Sequence, residues 1–366
     1  MQSVTTAARP QRPFERGFSL IEILVGLGIG MIGIIVIMQV FTLTEGQKRA
    51  TSGVGDAQTA GILALYGMER DMRQAGYGLS SLSLFGCNVT LPSGGVVTAM
   101  APVTINPAGI PAGDANTDVV AVIYGNADKA VEGDFIISQT GATYTVRTPS
   151  NFVSGDYVLA RSTAGVCPAL TLTQVAAPPT TTTVTVTTVQ AGVANGTLFN
   201  LGQAPKILVY AVRGGNLTVC DFMQNNCASA GSVGNSAVWL PIAENIASLK
   251  AQYGRDTSGP PMDAITDTFD KTTPTTQCGW ARVSAAMLTL AARSGQYDKS
   301  LVTPNAPKWY GDPVAPLTAA TVLSVPVLGD PFDLSADADW QHYRYKVLQT
   351  VVPLRNVGWM GVQSGC

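Results

Sequence analysis

The chain has 366 residues, room for about two domains of ~150 residues each, and carries 22 Lys plus Arg against 24 Asp plus Glu. A charged fraction of 13%, about half of the ~25% usual in soluble proteins, and a net charge of −2 exclude a basic nucleic-acid footprint over the whole chain. A hydrophobic fraction of 46% excludes wholesale disorder, and a lone histidine, His342, speaks against histidine-based catalysis and His-rich metal sites.

Residues 1–17 are polar, with Arg9, Arg12, Glu15 and Arg16, and end in Arg16-Gly17. Residues 20–43, LIEILVGLGIGMIGIIVIMQVFTL, are an apolar run interrupted only by Glu22. At ~1.5 Å per residue this run spans a ~30 Å hydrocarbon core. An ordinary secretory signal puts a short apolar core before its cleavage site; here a basic leader and a glycine precede the apolar segment. A charge inside such a span costs about 2.5–3.5 kcal/mol, which makes Glu22 a functional candidate by default. Gly28, Gly30 and Gly33 match G-x-G-x-x-G, but that fingerprint needs a preceding strand and a βαβ unit. Inside a membrane span it predicts no dinucleotide site, and the Gly26/Gly30 spacing instead permits close helix approach in lipid.

The string Arg16-Gly17-Phe18-Ser19-Leu20-Ile21-Glu22 closely resembles the class III prepilin signal of type IV pilins and type II secretion pseudopilins. In that family a membrane-embedded aspartic peptidase cuts after the glycine and N-methylates the new first residue. The resemblance therefore implies cleavage between Gly17 and Phe18, N-methylation of Phe18, and an assembly role for Glu22 through the amine of a neighbouring chain.

Past Leu43, the residues Ile62, Leu65, Tyr66 and Met72 fall near helical spacing, and Gly76-Tyr77-Gly78 supplies a stop signal. The pattern predicts a helix from about Phe18 to Ala75, ~85 Å long at ~1.5 Å per residue and loosened at Gly53 and Gly55. From about residue 80 the character turns to β. Runs at Asp118–Tyr124, Asp134–Ser138, Thr143–Arg147, Tyr157–Arg161, Thr181–Val189, Lys206–Val212, Ala237–Ile242, Ser248–Tyr253, Arg282–Ala291 and Tyr343–Leu354 are separated by turn residues. Residues 255–279 and 294–340 lack clear periodicity and read as long loops.

Three further segments resemble the PilW-type minor pilins: Glu69–Gly78 (ERDMRQAGYG) at the helix end, Glu244–Gly254 leading into Gln-Tyr-Gly, and His342–Asn356 as a C-terminal strand. Residues of about 80–240 and 255–340 are largely unmatched. The family reading implies an α+β, pilin-like fold: a leader at 1–17, a spine helix at 18–79, membrane-spanning at about 20–43, and an antiparallel β-rich domain at 80–366. It implies a non-enzymatic subunit without cofactor or metal that joins a pilus tip or priming complex and supports twitching, adhesion or DNA uptake. Expected partners are the prepilin peptidase, other minor pilins, the major pilin, a tip adhesin and the inner membrane, with no direct nucleic-acid binding. The expected location is the inner membrane, C-terminal domain periplasmic, and then the pilus tip. The alternatives are a J-type minor pseudopilin of type II secretion and a membrane-anchored binding protein.

Cys87, Cys167, Cys220, Cys227, Cys278 and Cys366 all follow the span, and the prepilin reading puts them in an oxidising compartment. Of the 15 possible pairings, the short Cys220–Cys227 loop is favoured, with Cys87–Cys167 and Cys278–Cys366 beside it. Asp333, Asp337 and Asp339 depart from a calcium-loop spacing and read as a solvated loop. His342 reads as a hydrogen-bonded strand residue, and Trp280, Trp309, Trp340 and Trp359 as packing. The sequons at Asn88, Asn195 and Asn216 carry little weight with a bacterial export signal.

Overall fold

Helix α1 runs from Leu20 to Gln74, 55 residues in one element. The computed structural model describes residues 17–129, 132–163, 169–310, 317–318, 329–361, 363 and 365–366. Contacts divide the chain into two compact units, 1–52 and 53–366. In the first unit the described residues begin at Gly17, and the large apolar side chains from Leu20 to Leu43 are all exposed.

In the second unit, Ala57, Gly61, Ala64, Leu65, Met68, Asp71, Met72 and Ala75 recur at three- and four-residue intervals and form the buried face of the helix. Of the four apolar residues that marked the helical period, Leu65 and Met72 are buried, whereas Ile62 and Tyr66 face outward. The buried face is built from small residues because the sheet comes very close. A Cβ on Gly61 would lie 2.2 Å from Leu348 Cδ1 and 3.1 Å from Ala292 Cβ, and one on Gly53 would lie 3.1 Å from Ser294 Cβ. The expected loosening at Gly53 and Gly55 is absent, since the helix passes through both; the lost propensity is offset at Gly53 by closer packing.

The helix stops where the stop signal lies. Gly76 and Gly78 take φ of +84° and +82°, a region that costs a side-chain-bearing residue strain. Gly76 N–H donates to Ile123 O at 2.8 Å. Asn356 Nδ2 donates to the orphan carbonyls of Gln74 and Ala75, both at 3.0 Å.

Three large sheets follow. The C-terminal sheet has Ile246–Arg255 and Tyr345–Pro353 on either side of Val283–Arg293, all antiparallel. The two late segments that carried the family resemblance therefore share one central strand, and its Leu288, Leu290 and Ala292 are buried. A second sheet orders Leu240–Ala243, Asn216–Asp221, Lys206–Arg213, Val120–Tyr124 and Val103–Ile105. Tyr253 hydroxyl accepts from Ile105 N–H at 2.6 Å, and Asp118 carboxylate accepts from Asn106 Nδ2 and Ala251 N–H, each at 3.0 Å. Those buried contacts tie the two sheets together.

Residues 125–205 leave the second sheet after Val120–Tyr124 and return at its neighbour, Lys206–Arg213. They supply six strands of an eight-stranded sheet whose other members are Val89–Thr90 and Val96–Val97. Its pairs are antiparallel except Val89–Thr90 with Leu170–Gln174. This excursion has a core of its own, with Ile136, Tyr144, Val158, Val184 and Leu198 fully buried. The Thr-Val alternation predicts one wet face, and Val184 and Val186 are buried while Thr183 and Thr185 are half-buried. The strand itself is only Thr183–Thr185. Of the stretches read as loops, 255–279 contains the strand Thr268–Asp270 and the start of the short helix α2 (Gln277–Ala281), and 294–340 contains the two-residue strands Lys308–Trp309, Leu317–Thr318 and Asp330–Pro331; residues 311–316 and 319–328 lie outside the described residues.

Candidate functional site

The candidate residues at the N-terminus converge on the first turn of α1. Gly17 has no neighbour within 4 Å of a built Cβ, and Phe18 is 84% exposed. Neither is helical; α1 begins at Leu20. Glu22 lies in the first turn, where the helix dipole favours an acid. Ser19 N–H donates to Glu22 Oε2 at 3.0 Å, and Glu22 N–H donates back to Ser19 O at 3.0 Å. Ser19 Oγ accepts from Ile21 N–H at 3.4 Å. The participation of Ser19 was missed in the sequence, although Ser-x-x-Glu ahead of an apolar run is the signal that finds it. Gly26, Gly28, Gly30 and Gly33 all sit inside the helix, so the dinucleotide pattern has no preceding strand.

At the far end of the helix, Asp71 is a buried carboxylate on the face that meets the second sheet. Tyr124 hydroxyl donates to its Oδ1 at 3.1 Å, and Tyr210 hydroxyl donates to Oδ2. Burial first, and then the adjacent carboxylate, push both tyrosines well above the ordinary phenol range. Asp71 had no signal of its own, since a helical acid between Arg70 and Met72 reads as surface.

Cys220 and Cys227 are disulfide-bonded with Cα atoms 6.0 Å apart, and Cys278 and Cys366 with Cα atoms 5.2 Å apart. Cys87 is also disulfide-bonded, and Cys167 lies outside the described residues.

The remaining candidates are placed as packing or loop structure. Asp337 pairs with Arg293 at 2.6 Å, beside a cleft of about 340 Å³ that Asp333 also lines. Asp333 accepts from Ser335, and Asp339 N–H donates to Asp337. Among the described residues no group of three or more His, Cys, Asp or Glu is placed to hold a metal. His342 lies in a one-turn 3-10 helix rather than a strand. Its ring stacks on Tyr297 at 4.7 Å, and Nδ1 lies 2.7 Å from Asp298 O. Trp280 is buried edge-on to Tyr253, Trp309 is buried against Phe332, and Trp340 is half-buried. Trp359 alone of these is 80% exposed. Among the sequons, Asn88 Oδ1 accepts from Ala99 N–H, Asn195 occupies a turn at φ +61°, and Asn216 opens a strand.

An exposed apolar helix entered through a glycine–aromatic junction and an acid, with an antiparallel β-rich domain after it, defines a type IV pilin-like protein. The Type IV pilus-assembly protein W family matches residues 209–356, and the prokaryotic N-terminal methylation motif matches residues 12–38. Over these two regions the chain is similar to the type IV pilus minor pilins of the PilW family. Among solved structures, a type IV-like pilin from Thermus thermophilus is similar at 12% identity, covering 83% of this chain and 96% of that one with a TM-score of 0.29. No curated protein matches the chain. The 125–205 excursion lies outside both matched regions.

Proposed function

We infer that the chain is made as a precursor, cut between Gly17 and Phe18 by a prepilin peptidase, and N-methylated on Phe18. Residues 20–43 then hold it in the inner membrane with the β-rich domain on the periplasmic side. From there it joins other minor pilins and the major pilin in a tip complex that primes pilus assembly, with a tip adhesin as a further partner. It acts as a structural subunit, not a catalyst.

The observation that carries this reading is Glu22. It is a carboxylate in the first turn of a helix whose large apolar side chains from Leu20 to Leu43 are all exposed. Phe18, on which cleavage would create an amine, lies four residues before it in the chain and two ahead of the helix start at Leu20. A neighbouring chain displaced axially by a few residues would bring that amine against the carboxylate, where low dielectric strengthens the pair. The disulfides fit an oxidising compartment.

Mass spectrometry of the mature N-terminus is the decisive test. Protein recovered from pili should begin at N-methylated Phe18, and replacing Gly17 with a bulky residue should leave the precursor in the membrane. An intact 1–17 leader on pilus-derived protein would overturn the reading.

A further inference from the structure

The first turn of α1 carries a hydrogen-bond pattern that assembly alone does not require. Ser19 immediately precedes the helix and Glu22 is its third residue. The carboxylate folds back to accept from Ser19 N–H at 3.0 Å, while Ser19 O accepts from Glu22 N–H at 3.0 Å and Ile23 N–H at 3.2 Å. Ser-x-x-Glu with the acid reaching back to the N-cap amide is a capping box. Water ordinarily satisfies the orphan N–H groups of a helix start; hydrocarbon offers no such partner, so an uncapped start costs more there.

We propose that Glu22 has an intrachain task beside the intersubunit one: its Oε2 closes the helix on the Ser19 amide, and Oε1 is left for a neighbouring chain's amine. This rests on the reading of residues 20–43 as membrane-spanning and of Phe18 as the mature first residue. The carboxylate then enters the bilayer already holding a donor, and insertion does not wait for a partner chain. The cap also fixes the acid relative to Phe18, because Ser19 is the residue between them and the helix. Glutamine separates the two tasks. Its amide oxygen accepts from the Ser19 N–H as a carboxylate does, but it carries no charge for an amine. Alanine performs neither.

The test compares the wild-type chain with Glu22→Gln and Glu22→Ala, each as the full precursor with its leader, purified in detergent micelles. Amide hydrogen exchange at Ser19, read by NMR, should be slow in wild type and Glu22→Gln. In Glu22→Ala it should be about fivefold faster, which is ~1 kcal/mol at ~1.4 kcal/mol per tenfold. Equal exchange in wild type and Glu22→Ala, or exchange in Glu22→Gln as fast as in Glu22→Ala, overturns the cap. Surface piliation of a complemented deletion strain is scored in parallel. Normal piliation with Glu22→Ala overturns the intersubunit task whatever the exchange shows, so the two failures are distinguishable.

Discussion

The two halves of α1 use opposite chemistry. From Leu20 to Leu43 the helix is dense in Ile, Leu, Val and Met, yet every large apolar side chain is exposed. From Gly53 to Gln74 the inward positions are mostly Gly, Ala and Met, and these are buried against the sheet. Apolar content therefore does not report burial within the chain. The first half keeps bulk for surroundings outside the chain, while the second gives up bulk so that backbone and sheet can approach, as the 2.2 Å space at Gly61 demands.

Glu22→Ala breaks the comparison on the first half. Surface piliation should fall by on the order of tenfold or more, the scale of losing a desolvated charge pair, while the domain's thermal unfolding stays unchanged. A parallel fall in melting temperature would show that the first half also supports the domain. On the second half, Asp71→Ala leaves two buried phenol hydroxyls without their acceptor. It should destabilise the domain by about 3 kcal/mol, read as a lower urea midpoint. Tyr210→Phe removes one donor and should cost about 1 kcal/mol.

Gly61→Val sharpens the contrast further. Its side chain must displace Leu348, an overpacking cost of about 1–3 kcal/mol. Gly28→Val, with nothing within 4 Å, should leave the domain's melting temperature where it is. The smallest effect concerns pH and lies away from the helix. Asp298 is held at about 2 by the Ser300 hydroxyl and amide and by Arg344. Because its folded value is depressed, the stabilisation is present above the ordinary ~3.9 and is lost as pH falls toward the folded value. The stability deficit of Ser300→Ala should be visible at about pH 5 and shrink as pH drops below ~4, in denaturant midpoints taken along a pH series.

Much of this architecture is legible in residue patterns. The span, the long helix and its glycine stop, and the strands around Val120–Tyr124, Lys206–Arg213 and Ile246–Arg255 all stand out as periodic or continuous apolar runs. What escapes has physical reasons. Two-residue strands such as Val89–Thr90 and Val96–Val97 are too short to show a period. Gly53 reads as a weak point because propensity says nothing about the strand residues opposite it. Ile62 and Tyr66 are far bulkier than Ala57, Gly61 and Ala64 and so mark the helical period, although the small residues are the ones that pack. At the candidate site, Glu22 is conspicuous because it breaks an apolar run, whereas Ser19 shows only through its three-residue spacing from that acid. Asp71 is hidden because its two partners, Tyr124 and Tyr210, are separated from it by 53 and 139 residues.

The cap on the end of α1 also sets a clock. Asn356, which covers the carbonyl of Gln74, lies 282 residues later in the chain, and Leu348, which faces Gly61, is made only slightly earlier. At ~5–20 residues per second of synthesis, roughly 15–60 s pass between the emergence of the helix and the emergence of its final cover. Throughout that interval Gly61 lacks its Leu348 neighbour and the carbonyl of Gln74 its Asn356 cap. A nascent chain anchored by its first helix is thus unfinished at the helix–sheet seam until almost all of it has been made, so translation itself delays the moment at which a subunit is ready to join another.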